Sequence, residues 1–300
     1  MVSPIKFCSL LSLSPGKFSG ESETLMRLHS YEDEILYRFP RELDTQGLST
    51  NSTTIFVSHH QYHKYPDSEP ITILNKLTFD TIVLPEEKKE SLMFPTSIVA
   101  DDEKLVIASN GIGFASSLSI YDVSEPEKIR LDSVITLTID QRRPMGLALE
   151  KNLLYFASYS EQTIWSLNLL THKLDLVIDG KRYGITTPIA IALTERDIFV
   201  TSHVDKSIFK FDRRYLLPQE IVKDDLNLPW SLLLIGDDLI SGNLGKKSTS
   251  NIYSSFLTRN GHQIEETAQF GSINAPILEV DTLATQIHHL DELQQISIAR

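Results

Sequence analysis

Eight side chains stand out for the chemistry they would do if brought together: His59, Asn110, Arg142, Arg143, Tyr159, His203, Trp230 and Asn243. An arginine forks onto a carboxylate or phosphate through two parallel hydrogen bonds. Imidazole and carboxamide groups add directional hydrogen bonding, and the phenol and indole add stacking surface. That mixture suits binding of a polar or anionic group. A reaction is harder to find. Serine hydrolysis needs a base oriented by a carboxylate, and the chain has no G-x-S-x-G turn. Cys8 has only Lys6 as a basic neighbour, so nothing lowers its thiol pKa, and it reads as a buried strand residue. His59, His60 and His63 form H-H-x-x-H, but they follow a strand and precede the turn Tyr65-Pro66-Asp67-Ser68, so a solvated loop is read there and no metal site. Glycine-rich phosphate loops of Walker or Rossmann spacing are absent. Catalytic residues are therefore left unassigned, and no cofactor or metal is expected.

The elements that must position these residues repeat along the chain. Residues 188–212 show the unit: Pro188 opens an apolar run to Leu193, a charged turn follows, and a β-rich run ends at Ser202. A short polar link then leads to the alternating strand around Ile208–Phe211, and Gln219–Val222 makes a fourth strand. Prolines at Pro40, Pro95, Pro144, Pro188, Pro229 and Pro276 each open such a run. The first five are followed by runs ending at Ser58, Ser109, Ser158, Ser202 and Ser241, and then by a third strand. A serine repeated in every unit reads as a small residue at a crowded position, since a catalytic residue is unique. Four short strands every ~40–50 residues are the mark of a propeller blade. Residues 5–39 read as strands two to four of a blade whose first strand is Pro276–Val280. The expected fold is thus a single all-β domain over residues 1–300: a six-bladed β-propeller, with seven blades as the alternative, closed by three N-terminal strands and one C-terminal strand. The tail from Ala284 suits either a helix or a strand.

The P-x-x-[IL]-[AVL] opening followed by a strand resembles the NHL and YVTN types of propeller repeat, and Leu118–Leu131, LSIYDVSEPEKIRL, looks like the LVIVD variant. The resemblance implies fold more than function, because such repeats serve many roles. Gluconolactonase-like and paraoxonase-like propellers hold a divalent cation in the channel through Glu, Asn and Asp near the starts of inner strands. Here the residues after the opening prolines are Arg41, Thr96, Met145, Ile189, Trp230 and Ile277, a set with no carboxylate. Hard cations need oxygen ligands, so this departure argues against metal-dependent hydrolysis.

A meander places the loops after the serines and those before the prolines on one face, here the upper. The loops after Ser9, Ser58, Ser109 and Ser241 are long and those after Ser158 and Ser202 short, which predicts a wall over four blades and a notch over two. Binding is expected on this face, with Trp230, Met145 and Ile189 near the channel axis. Acidic turns such as Asp101-Asp102-Glu103 gather on the opposite face and aid solubility. Net charge of -12 argues against nucleic acid. A lone cysteine suits a reducing compartment, no run is long enough to span a membrane, and the N-terminus does not read as a signal peptide, so a cytoplasmic location is expected. The functional expectation is a scaffold that binds a protein, peptide or small polar or anionic ligand; the alternative is a propeller hydrolase or lyase using the same face.

Overall fold

The computed structural model describes residues 9–13, 24–28, 33–38, 45–60, 69–84, 92–110, 116–222, 229–235, 238–243, 251–258, 264–272 and 277–280. The first three strands are β1 (Ser9–Leu13), β2 (Thr24–Leu28) and β3 (Asp33–Arg38). One blade follows as β4 (Thr45–Thr50), β5 (Thr54–His59), β6 (Ile71–Asn75) and β7 (Thr81–Ile82), and the next as β8 (Pro95–Ala100), β9 (Lys104–Ser109), β10 (Ser117–Asp122) and β11 (Arg130–Thr136). Then come β12 (Pro144–Glu150), β13 (Leu153–Ser158), β14 (Thr163–Asn168) and β15 (Leu174–Asp179), and β16 (Pro188–Leu193), β17 (Asp197–Ser202), β18 (Ser207–Asp212) and β19 (Pro218–Val222). The last are β20 (Pro229–Ile235), β21 (Asp238–Asn243), β22 (Asn251–Thr258), β23 (Ile264–Ser272) and β24 (Ile277–Val280).

These strands make an all-β propeller of four-stranded antiparallel blades, each a meander in sequence order. Four blades, β4–β7, β8–β11, β12–β15 and β16–β19, are the ones described through most of their side chains, fewer than the six that the repeat count predicts. Backbone pairing defines two further four-stranded sheets, β20–β23 and β24-β1-β2-β3. In the latter, Ser9 pairs with Val280 and Leu11 with Ile277.

The core lies between blades, and strand periodicity explains why. Successive side chains of a strand point to opposite faces. On β9, Leu105 and Ile107 face the β4–β7 blade, while Val106 and Ala108 face the β12–β15 blade. On β13, Leu154 and Phe156 turn back to the β8–β11 blade, and Tyr155 and Ala157 turn forward to the β16–β19 blade. A second strand buried on both faces must be apolar throughout, which accounts for runs such as KLVIAS and LLYFAS. Phe156 is wholly buried, and burial of a side chain that size contributes about 1.5–3 kcal/mol.

Below the blades, the hairpins between third and fourth strands share one turn chemistry. Asn75 Oδ1 accepts from the backbone N–H of Leu77 and Thr78, Asn168 Oδ1 from Leu170 and Thr171, and Asp212 Oδ1 from Arg214 and Tyr215. Each turn closes through a left-handed residue, Phe79, His172 or Leu216. One such turn locks two blades together. Arg213 donates to both carboxylate oxygens of Glu150, at 3.1 and 2.6 Å, to the Thr194 carbonyl and to the Tyr155 hydroxyl. Hydrogen bonding to that carboxylate raises the Arg213 pKa, and the guanidinium holds the Glu150 carboxyl below its ordinary range.

Candidate functional site: the upper mouth of the channel

Five inner strands open opposite the last residue of their second strand. Pro95 pairs with Ser109, Pro144 with Ser158 and Pro188 with Ser202. The same register pairs Pro229 with Asn243 and Thr45 with His59. Two sequence assignments are thereby corrected. The structural equivalents of the repeating serine are His59 and Asn243, not Ser58 and Ser241. The first of these blades opens at Thr45, so Gln46, not Arg41, holds the position after the opening residue. Proline suits the first residue of a strand, where its missing N–H is harmless, but the position does not require it. Spacing across the hairpin is the stronger signal, because pairing fixes it.

A register shift follows the opening residue in all five strands, and such bulges re-aim side chains. The residue after the second strand then donates its N–H to the carbonyl just before the opening proline. Asn110 donates to Phe94 at 3.0 Å, Tyr159 to Arg143 at 3.1 Å and His203 to Thr187 at 3.0 Å. Within each blade this repeated bond ties the residue after the second strand to the residue before the opening proline. Phe94 and Arg143 both take left-handed backbone, with φ of 52°, a conformation that is strained for residues other than glycine. Two of the serines brace the same corner. Ser158 Oγ donates to the Arg142 carbonyl at 2.7 Å, and Ser202 Oγ accepts from the Thr186 N–H at 3.1 Å and also bonds Asp205.

Neighbouring mouths are stitched together by the predicted residues. Asn110 Nδ2 lies 3.6 Å from Met145 Sδ in the next blade. His203 Nδ1 lies 3.0 Å from the Pro229 carbonyl, which fixes the proton on Nδ1, and its ring meets Trp230 edge-on at 5.3 Å. Thr96 Oγ1 donates to the Pro144 carbonyl at 2.9 Å. Arg142 and Arg143 are both exposed, but they do not act as a pair. Arg142 is held by the Ile139 carbonyl and by Glu161 at 3.3 Å, whereas Arg143 makes no ion pair among the described residues. Tyr159 is half-buried beside them. His59 is different: it is wholly buried, 2.7 Å from Thr72 Oγ1, and burial lowers its pKa to about 3. The side chain of Asn243 lies outside the described residues, as do Cys8, His63, the tail from Ala284 and the long loops expected to form the wall.

Below this rim the inner strands enclose a channel cavity of about 170 Å³. Met145, Ile189 and Trp230 line it, as the sequence suggests, together with Gln46 and Thr96 at the same level. The next level is Gly47, Ser97, Gly146, Ala190 and Ser231, all small. The sequence reading missed this layer, although each residue sits two places after an opening residue. Its cause is close approach of the strands: a Cβ on Gly146 would lie 2.2 Å from the Ile189 carbonyl oxygen. Among the described residues no three His, Cys, Asp or Glu side chains converge on a metal-binding point. No helix among them is long and apolar enough to cross a membrane.

The sequence matches neither a known protein family nor a curated protein. Its fold does match solved structures. A chain from the crystal structure of a nidogen/laminin complex superposes with a TM-score of 0.66, over 90% of this chain and 96% of that one, at 10% identity. Identity that low speaks for the β-propeller fold alone.

Proposed function

We propose that the chain is one six-bladed ring that binds a protein or peptide partner on the face around the channel mouth. Ring closure is supported by the order of inner-strand neighbours, β4, β8, β12, β16, β20, β24 and back to β4, and by the β1–β24 pairing. The P-x-x-[IL] openings at Pro95, Pro144, Pro188 and Pro229 support a repeat of the NHL and YVTN kind. The observation that carries the binding reading is the repeated bond from Asn110, Tyr159 and His203 to the residue before the opening proline of the same blade. It presents aromatic, amide and imidazole groups around one opening, with Arg143 as an exposed cation beside them. Such groups anchor partners well. That a similarly folded chain was crystallised in a complex of two proteins agrees with this reading.

Photo-crosslinking tests it. A benzophenone side chain replaces Arg143 on the upper face, or Leu170 in the turn after β14 at the opposite end of the blade. Adducts should form from position 143 and not from 170. The captured partner should then lose at least tenfold in affinity for Arg143→Gly and for His203→Ala, with unchanged melting temperatures. Glycine suits φ of 52°, so Arg143→Gly removes the charge without new strain. Equal adducts from both positions, or unchanged affinity in both variants, refutes the reading.

A further inference from the structure

The cavity beneath the rim has a chemistry different from that of the face above it. Its described lining residues, which include Leu48, Ile98, Met145, Ile189 and Trp230, contain no charged side chain. An ion placed there would lose its water without gaining a counter-charge, which is strongly unfavourable. Yet the walls are not purely apolar. Ser231 is 6% exposed and lines the cavity, and its buried Oγ has no hydrogen-bond partner among the described residues. The neighbouring Trp230 indole N–H donates no hydrogen bond among the described residues, although the indole is half-buried against His203. The register shift between Pro229 and Ser231 lets consecutive residues both border the cavity. Behind Met145 on the rim, the buried Oδ1 of Asn110 also has no partner among the described residues. Unsatisfied buried polar atoms are rare in native proteins and each calls for an explanation. Apolar walls with a few convergent polar atoms are the usual make-up of a small-molecule site.

We propose that the channel binds a small uncharged molecule with an apolar body and a hydroxyl or amide edge. The apolar body packs against Met145, Ile189 and Trp230, and the polar edge satisfies Ser231 Oγ and the Trp230 N–H. This site is independent of any partner on the face above and revises the anionic preference expected from the arginines, which lie outside the cavity lining. A matched probe series tests it: benzamide, benzoate and benzamidine share a shape and differ in charge. Binding is read from Trp230 fluorescence in a Trp165→Phe background, where Trp230 is the one remaining tryptophan. Benzamide should bind saturably, with both charged probes at least tenfold weaker. Ser231→Ala should weaken benzamide by about threefold or more while leaving toluene binding unchanged. Met145→Arg at the half-buried rim should abolish benzamide binding with the melting temperature retained. Failure of benzamide to bind saturably, equal or tighter binding of either charged probe, or indifference to both Ser231→Ala and Met145→Arg overturns the proposal. If Met145→Arg fails to fold, the charge series and Ser231→Ala decide alone.

Discussion

Gly146→Ala is the sharpest test of how the inner strands meet. The added Cβ would stand 2.2 Å from the Ile189 carbonyl oxygen, 2.6 Å from Ala190 Cα and 3.0 Å from the Ile189 carbonyl carbon. All three atoms are backbone, so no rotamer change relieves the clash. Ordinary contact needs about 3.4 Å or more, so β12 and β16 must separate locally by roughly 1 Å. Overpacking of this kind typically costs about 1–3 kcal/mol. Loss of glycine's unfolded-state freedom offsets up to about 1 kcal/mol. The clash here is severe and unrelieved, so the upper half of the range applies and a net loss of about 2 kcal/mol is expected. For a chain of this length that lowers the melting temperature by roughly 3 °C. Urea unfolding followed by tryptophan fluorescence measures it, since Trp165 sits in the blade of Gly146 and Trp230 in the sheet beyond β16–β19. Gly184→Ala is the control: its φ is +77°, but nothing lies within 4 Å of the added Cβ, so only about 1 kcal/mol of backbone strain is expected. A Gly146→Ala protein within 0.5 kcal/mol of the parent, or one less perturbed than Gly184→Ala, would show that strand approach does not require the small layer.

Two further outcomes follow from a buried imidazole and an ion pair between blades. His59 stays neutral in the folded protein down to about pH 3, while in the unfolded chain it takes a proton near pH 6.5. The unfolded state therefore binds the extra proton in between, and its contribution to stability is full above pH 6.5 and falls by about 1.4 kcal/mol per pH unit below it; His59→Gln should flatten the urea midpoint against pH between 6.5 and 4, and an unchanged slope would contradict the buried neutral imidazole. Arg213→Lys keeps the charge but loses the fork onto Glu150, so it should destabilise by about 1–2 kcal/mol, and a double-mutant cycle with Glu150→Gln should show coupling of about 1 kcal/mol; additive effects would mean that the bidentate pair adds nothing.

Blade architecture was legible in the sequence because two-sided burial makes second strands apolar throughout, and because proline marks most strand starts. The opening residue was misplaced where the chain has Thr45 in place of proline, and the end of the second strand was misread where His59 and Asn243 stand in place of serine. Hairpin spacing alone would have found both. Met145, Ile189 and Trp230 were placed at the channel for a sound reason, since they follow opening residues. Other features depend on contacts between segments apart in sequence, some within a blade and some between blades. The pairing of Arg142 with Glu161, the burial of His59 against Thr72 and the small-residue layer all arise from neighbours distant in sequence or from the approach of two backbones. The unsatisfied Ser231 hydroxyl belongs to the same class.

The pairing of β1 with β24 has a kinetic consequence. Ser9 meets Val280, so this sheet cannot be completed until residue 280 has been made. Closing so long a loop is entropically less favourable than closing one blade-length hairpin set by about 1.5 kcal/mol, since the term grows only with the logarithm of loop length. The delay matters more than the free energy. At ~5–20 residues per second of synthesis, β1 to β3 wait about 15–60 s with one edge unpaired. During that time the strand edge is open to another nascent copy or to a chaperone, so crowding of ribosomes on one message, and not temperature alone, should set how much of the chain reaches the closed state.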